Sequence, residues 1–413
     1  MRIALFMECL PERHAGGFQQ ALSAVKSFTE NATCHEFVVC TQFERTRQLL
    51  AEHGIKAIRF KSRGFRLIDR WSRTVFGYGV MRRLRQLGFR RLGRHLDAFL
   101  DDFGIDLVVL TQISESVLRI GDHPFIVTVW DLNHRDCPEF PEVYCDRVFE
   151  RQERVVRATL PRALAVIVNS PSGARRIASL YQVDPSRIIV LPFVPTLAVQ
   201  HHAAGRGSVT AEDVQRKYDL PVHYVFYPAF FSFQKNHLYL LEGLLELERR
   251  HGVALHAVFC GGGEKGWERA AVERQVQALG LTARVKFIGF VPDKDIPALY
   301  EGAVALVMPA YFGPTNLPPL EAVTLGCPVI YSDLPEFREQ MGDAALYCDL
   351  KDVSSLADHL VALIQDPALR DRLRNAGFKM GADMAKINYA KRLAPILDNY
   401  AYVRRRWAWP DTP

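Results

Sequence analysis

Short, β-branched apolar runs alternate with amphipathic stretches of helical period along this chain; the alternation lapses once and then restarts. That rhythm predicts two parallel sheets, each covered by helices on both faces. In the first half, strands are predicted at Ile3–Met7, Glu36–Cys40, Ala57–Phe60, Leu107–Leu110, Phe125–Trp130, Ala165–Asn169 and Ile188–Leu191. The lapse, between Pro192 and Pro221, carries two further signs of a connection, a His-His pair and a GRGS stretch. Strands resume at Tyr224–Tyr227, Leu255–Cys260, Val285–Ile288, Ala305–Met308, Pro328–Tyr331 and Ala345–Tyr347. The expected organisation is a first Rossmann-like unit over 1–195, a linker over 196–221 and a second unit over 222–389. A C-terminal helix near 390–413 completes the first unit. At 413 residues the chain exceeds what one core organises, which agrees with two units. Two doubly wound α/β units place the carboxyl ends of their strands across a cleft, the usual ligand position in such folds.

Several classes recede on composition. The first residues, MRIALFMECLPERHAGG, read as a strand rather than a signal peptide, and no apolar stretch nears the roughly 20 residues of a membrane span. The expected location is cytoplasmic. Eight scattered cysteines without a C-x-x-C pair suggest a reducing compartment and no zinc site. The net charge of +6 is modest, but ten arginines fall between Lys61 and Arg94, interleaved with Phe65, Leu67, Trp71, Phe76, Tyr78, Leu84 and Phe89. The stretch reads either as an amphipathic surface meeting anionic lipid or as a solvated helix face with an apolar side in the core. The tail Tyr402–Trp409 repeats the mixture. No nucleic-acid motif accompanies the charge, and no nucleic-acid partner is expected.

Four places carry chemistry. Gly16-Gly17 follows the first strand and precedes a helix, where backbone N–H groups reach a phosphate. Gly261-Gly262-Gly263 follows the strand ending at Cys260, either facing ligand or forming a loose surface turn. Lys235 sits at a strand-to-helix corner, where an ammonium neutralises a departing diphosphate or merely solubilises a loop. The turn Gly313-Pro314-Thr315-Asn316-Leu317-Pro318-Pro319 leads into a helix expected to begin near Pro319, with Glu321 in its first turn. Glu321 suits a pair of ligand hydroxyls, or else simply complements the helix dipole.

With these residues in view, the span from about Tyr224 to Gly377 resembles glycosyltransferase family 4, of GT-B fold. The resemblance rests on Lys235-Asn236, Gly261-Gly262, VKFIGFVPDKDIPALYEGA (285–303), MPAYFGPTNLPPLEAVTLGCPVI (308–330) and SDLPEFREQMGDAALY (332–347). It implies that Lys235 contacts the donor diphosphate and Glu321 the ribose hydroxyls. It also implies that the backbone at Phe290 and Val291 holds the base, and that the amides of Asn316 and Leu317 receive phosphate. Gly17 would belong to the family's first glycine loop. TVWDLNHRDCPEF (128–140) is similar to its active-site segment, with Trp130 where a histidine is usual, then Asp131, and His134 further along. His134 is expected either to orient sugar or acceptor or to be a structural imidazole.

Two positions depart from the family pattern. Phe230 stands where an arginine is common, and Gly313 where the first of two glutamates is common, eight positions before Glu321. Thr315 and Asn316 are the neutral substitutes. No Asp-x-Asp motif of the metal-dependent type appears, so neither metal nor cofactor is expected. The implied reaction moves a hexose from GDP-mannose or a UDP-hexose to a glycan or lipid-linked acceptor, with retention of configuration. The competing expectations are a nucleotide-sugar epimerase or phosphorylase, and a non-catalytic sugar-nucleotide or membrane-binding protein of the same fold.

Overall fold

The structure, a computed structural model, describes residues 1–31, 34–60, 95–262 and 267–406. Residues 61–94 of the arginine-rich stretch lie outside the described residues, as do Gly263, Glu264 and the tail from Trp407. Two all-parallel sheets are present. The first has seven strands in the order β3-β2-β1-β4-β5-β6-β7, numbered along the chain as Arg2–Phe6, Glu36–Thr41, Ala57–Arg59, Leu107–Leu110, Phe125–Val129, Ala165–Val168 and Ile188–Val190. The second has six in the order β10-β9-β8-β11-β12-β13, numbered as Tyr224–Pro228, His256–Cys260, Val285–Phe287, Ala305–Met308, Val329–Ser332 and Leu346–Cys348. Both orders reverse direction once, beside β1 (Arg2–Phe6) and beside β8 (Tyr224–Pro228). Ligands bind at such switch points, beyond the carboxyl ends of the strands.

Every predicted strand is found, with no end shifted by more than one residue. Strand β1 shows why the apolar runs are continuous: Ala4 and Phe6 enter one core while Ile3 and Leu5 enter another on the opposite face. The period-2 alternation of a strand therefore feeds two hydrophobic layers. The second sheet has its own core, built on Tyr227, Phe259, Tyr300 and Tyr331, all buried.

Much of the 196–221 connection is packed structure. Helix Ala211–Tyr218 opens with a capping box from Thr210 and Asp213 and sends Val214 into the second core. The last helix, Tyr389–Arg406, crosses back onto the first unit, where Leu393 and Leu397 are fully buried. No helix among the described residues is long and apolar enough to cross a membrane.

Candidate active site

The second unit holds Lys235 by its backbone. Beyond β8 the chain makes a single 3-10 turn, Phe233–Lys235, and Tyr227 donates its hydroxyl to the Lys235 carbonyl at 2.7 Å. Asn236 then adopts a left-handed conformation, φ +52°, and launches helix His237–His251. The Lys235 ammonium donates to Asn316 Oδ1 at 3.1 Å. Burial drives its pKa down to about 8, a shift that the carboxylate of Asp131 partly offsets. Among the described residues Lys235 forms no ion pair, so its charge is met by a neutral amide.

That amide is the hub of the turn. Asn316 Nδ2 donates to the Gly313 carbonyl at 3.2 Å and to the Tyr331 hydroxyl at 2.6 Å. Gly313 sits at φ +134°, and a Cβ on it would lie 2.6 Å from Asn316 Nδ2. The space that a side chain at 313 needs is filled by the amide at 316, and the backbone there favours glycine. The missing glutamate and the Lys235–Asn316 contact are thus one arrangement.

Two expectations about this helix are corrected. It runs Leu317–Thr324, so Glu321 lies in its second turn. The early start is possible because Pro318 and Pro319 occupy first-turn positions where a helix needs no N–H. The same prolines strip donors from the helix end. The Asn316 amide is already spent on Gln340 Oε1 at 3.2 Å, which leaves Leu317 as the first-turn amide for phosphate. Glu321 is 5% exposed, receives the Tyr300 hydroxyl at 2.9 Å, and is also bonded by Thr196 from the connecting segment. Burial outweighs these bonds and raises its pKa to about 7.

Around Glu321 the edges of β9 and β10 close the site. Gly261 donates its amide to the Gly289 carbonyl at 3.1 Å, which draws together the two loops expected to hold the nucleotide. The ring of Phe230 lies over Gly262. Beside Gly289, Val291 is buried whereas Phe290 is 68% exposed.

Across the cleft stands the first unit. Gly16 and Gly17 prove to lie inside helix Pro11–Glu30, not in a turn before it. Their smallness serves close approach instead: a Cβ on Gly17 would fall 2.3 Å from the Trp130 ring. Gly16 faces Leu317 of the opposite unit, at 3.6 Å from its own ideal Cβ. Asp131 is exposed within the cleft but flanked by both units; desolvation raises its pKa, and Lys235 opposes the rise. His134 is 2% exposed. Its Nε2 meets Glu153 at 3.0 Å and the Tyr181 hydroxyl at 3.3 Å, within a knot that also ties Arg135 and Arg157 to Glu153. Desolvation lowers the pKa of His134, and the Arg135 bond holds Glu153 well below the usual carboxylate range.

The two units touch around the cleft. Glu142 accepts the Phe233 amide at 2.6 Å, and Glu339 accepts the Ser172 amide and an Arg175 guanidinium N–H, each at 2.9 Å. Thr315 reaches the Asn169 carbonyl at 3.5 Å, and Gln19 donates to Asp293 at 2.8 Å. Between them lies a cavity of about 230 Å³ lined by Trp130, Asp131, Arg176, Tyr311, Gly313 and Pro314, among others. The structure thus gathers Asp131, Lys235, Thr315, Asn316 and Leu317 at one opening, with Glu321, Gly262, Phe290 and Val291 along the second unit's edge. The sequence reading missed Tyr300, Gln340, Glu142 and Thr196, whose roles depend on contacts with remote segments and leave no local signal.

Residues 212–380 match the family described as Glycosyl transferases group 1. O-antigen chain mannosyltransferase B of Escherichia coli is 28% identical over 249 residues, which is 60% of this chain and 62% of that protein. D-inositol 3-phosphate glycosyltransferase of Nocardia farcinica is 27% identical over 242 residues, 57% of this chain and 52% of that one. The chain therefore spans between half and two thirds of the length of these relatives. Among solved structures, Anabaena Alr3699/HepE in complex with UDP-glucose superposes with a TM-score of 0.70 at 15% identity, covering 97% of this chain and 99% of that one. WaaG, a glycosyltransferase involved in lipopolysaccharide biosynthesis, gives 0.64 at 15% identity over 96% and 99%. The fold they share with this chain is GT-B.

Proposed function

We propose that this chain, whose residues 212–380 match the glycosyl transferases group 1 family on a GT-B fold, is a glycosyltransferase that takes its sugar from a nucleoside diphosphate. The observation that carries this is Lys235, a desolvated ammonium held by a neutral amide at the cleft, where a diphosphate would supply the anion it lacks. Nucleotide base against Phe290 and Val291, ribose on Glu321, and diphosphate on Lys235 and the Leu317 amide together fill the second unit's edge. The anomeric carbon then lies towards Asp131 and the turn Gly313–Leu317. The bond from that carbon to the phosphate oxygen breaks, with its electron pair leaving on the diphosphate, where Lys235 stabilises the growing charge. An acceptor hydroxyl bonds to the same carbon, and its proton passes to the departing phosphate oxygen. Attack on the face just vacated gives retention.

The names of the mannosyltransferase relatives favour GDP-mannose, whereas the UDP-glucose complex of the structural relative keeps a UDP-hexose open. The O-antigen relatives favour a glycan or lipid-linked acceptor. The arginine-rich stretch from Lys61 would bring the enzyme to an anionic membrane surface bearing it, and sedimentation with anionic against neutral liposomes tests that step. A thermal-shift panel of nucleotide sugars identifies the donor, because binding stabilises in proportion to the logarithm of ligand over dissociation constant. Transfer predicts that free nucleoside diphosphate appears only when an acceptor is added. Conversion of the donor without acceptor would instead establish an epimerase.

A further inference from the structure

On the first unit, at the opposite edge of the sheet from the cleft, three unlike donors meet. Cys34 and His35 immediately precede β2 (Glu36–Thr41), so they stand at the amino ends of the strands. Asp398 comes to them from the last helix, 363 residues beyond His35. Cys34 Sγ lies 3.6 Å from His35 Nε2 and 3.3 Å from Asp398 Oδ1, and His35 Nε2 lies 3.1 Å from the same Oδ1. We propose that Cys34, His35 and Asp398 bind a divalent cation of the zinc class, which clamps the C-terminal helix onto the first unit.

The geometry separates this from the other chemistry such residues suggest. In a nucleophilic relay the imidazole stands between thiol and carboxylate, using one nitrogen for each. Here sulfur lies 3.6 Å from Nε2 and 3.7 Å from Nδ1 and meets the carboxylate oxygen directly at 3.3 Å, so the imidazole stands beside the thiol–carboxylate pair and not between them. Three donors converging on one point are what a cation requires. Metal–sulfur bonds of about 2.3 Å and metal–nitrogen or metal–oxygen bonds of about 2.0–2.2 Å give tetrahedral edges of roughly 3.4–3.6 Å. The three observed separations fall within a few tenths of an ångström of those edges. A thiolate with an imidazole selects zinc over the hard cations magnesium and calcium. The His35 side chain is 3% exposed, whereas Cys34 is exposed and the Asp398 side chain 58% exposed, which leaves a fourth vertex to water.

The position suggests what the cation does. The last helix is tethered at its start, where Asn388 donates to Asn31 at 2.8 Å and Ser27 accepts the Ala390 amide at 3.3 Å. A metal at Asp398 would add a second fixed point more than two turns along. The site is structural and separate from glycosyl transfer.

The test uses the full chain, freed of metal by a chelator under a phosphine reductant and then titrated with cobalt(II) and zinc. One equivalent of cobalt should produce a thiolate charge-transfer band with the strong visible absorption of a four-coordinate ion, and zinc should displace it while raising Tm. Cys34→Ser should remove the charge-transfer band, and Asp398→Asn should weaken cobalt binding at least tenfold. Both side chains are exposed, so both variants should fold, as circular dichroism will verify. Absence of the thiolate band in the wild-type chain, or equal zinc uptake and equal Tm gain by Cys34→Ser, would overturn the proposal.

Discussion

The two walls of the cleft treat their ionisable groups in opposite ways. On the first unit, charge is mostly spent internally. Glu153 gathers His134, Arg135, Arg157 and Tyr181; Glu8 is the exception, a buried carboxylate bonded by the neutral Ser114, Ser116 and Gln42 whose pKa desolvation raises. On the second unit, Lys235 and Glu321 are desolvated without a countercharge in contact among the described residues, and their pKa values converge on about 8 and about 7. A buried acid and base left unpaired cost stability, which marks the second wall as the one arranged for a ligand. The first wall contributes shape, the Asp131 carboxylate and the Arg176–Asp136 ion pair that lines the cavity.

The largest break in this contrast should come from Lys235→Ala. If its ammonium stabilises charge that develops on the leaving diphosphate, kcat should fall by roughly 10²–10³-fold, as for loss of a transition-state donor. Removing a desolvated charge should at the same time leave Tm unchanged or higher. Turnover that survives the substitution, measured as acceptor-dependent nucleotide release, would move the chemistry off this wall.

Glu321→Gln should cost less, about 10–100-fold in donor KM, the scale of a hydrogen bond to a charged group. Its pH dependence carries the sharper reading. Ionised Glu321 accepts ribose hydroxyls and protonated Lys235 holds phosphate, so donor affinity should fall as pH drops below about 7 and again as it climbs above about 8. The glutamine variant should lose the acid limb, and Lys235→Arg should lose the basic one. Stability follows its own sign. Because folding raises the pKa of Glu321, its contribution is fully present below the unfolded value of 4.5 and is lost as pH rises through about 7. The glutamine variant should therefore gain most over wild type at pH 8, by on the order of 1–2 kcal/mol.

Gly313→Ala comes next. A non-glycine residue at φ +134° should cost about 1–3 kcal/mol and push Asn316 away from Lys235. Donor affinity should drop by about tenfold, a scale of 1.4 kcal/mol. A donor KM unchanged at equal protein concentration would show that the Asn316 hub does not set donor binding.

How much of this was legible follows from how far apart the interacting residues lie. Strands such as Leu107–Leu110 announce themselves because a continuously apolar tetrapeptide has one comfortable place, inside a covered sheet. Lys235, Asn316 and Glu321 were legible because each belongs to a contiguous motif at a strand end. The start of helix Leu317–Thr324 was misjudged because a proline pair fits both a rigid turn and a first helical turn. The glycine pair at 16–17 looked like a phosphate loop, since nothing nearby in sequence reveals that Trp130 packs on it. Cys34 and His35 look idle until a helix 363 residues later delivers Asp398. Local pattern encodes elements, whereas sites assembled across the fold are written in contacts that periodicity does not carry.

The smallest expected effect is at His134, and it tests the first wall directly. The imidazole is 2% exposed and bonded to Glu153, which retains Arg135, Arg157 and Tyr181 when the histidine is gone. His134→Gln should thus cost only about 1 kcal/mol of stability, the worth of one hydrogen bond in a network that remains satisfied. Transfer should stay within about twofold in kcat/KM, because no interaction particular to the transition state is lost. Asp131→Asn, three positions earlier and open to the cleft, should show the reverse: little change in Tm and a clear loss of turnover. A tenfold fall in kcat for His134→Gln at unchanged Tm would mean that the knot reaches the reacting sugar. The first wall would then be part of the chemistry and not only its support.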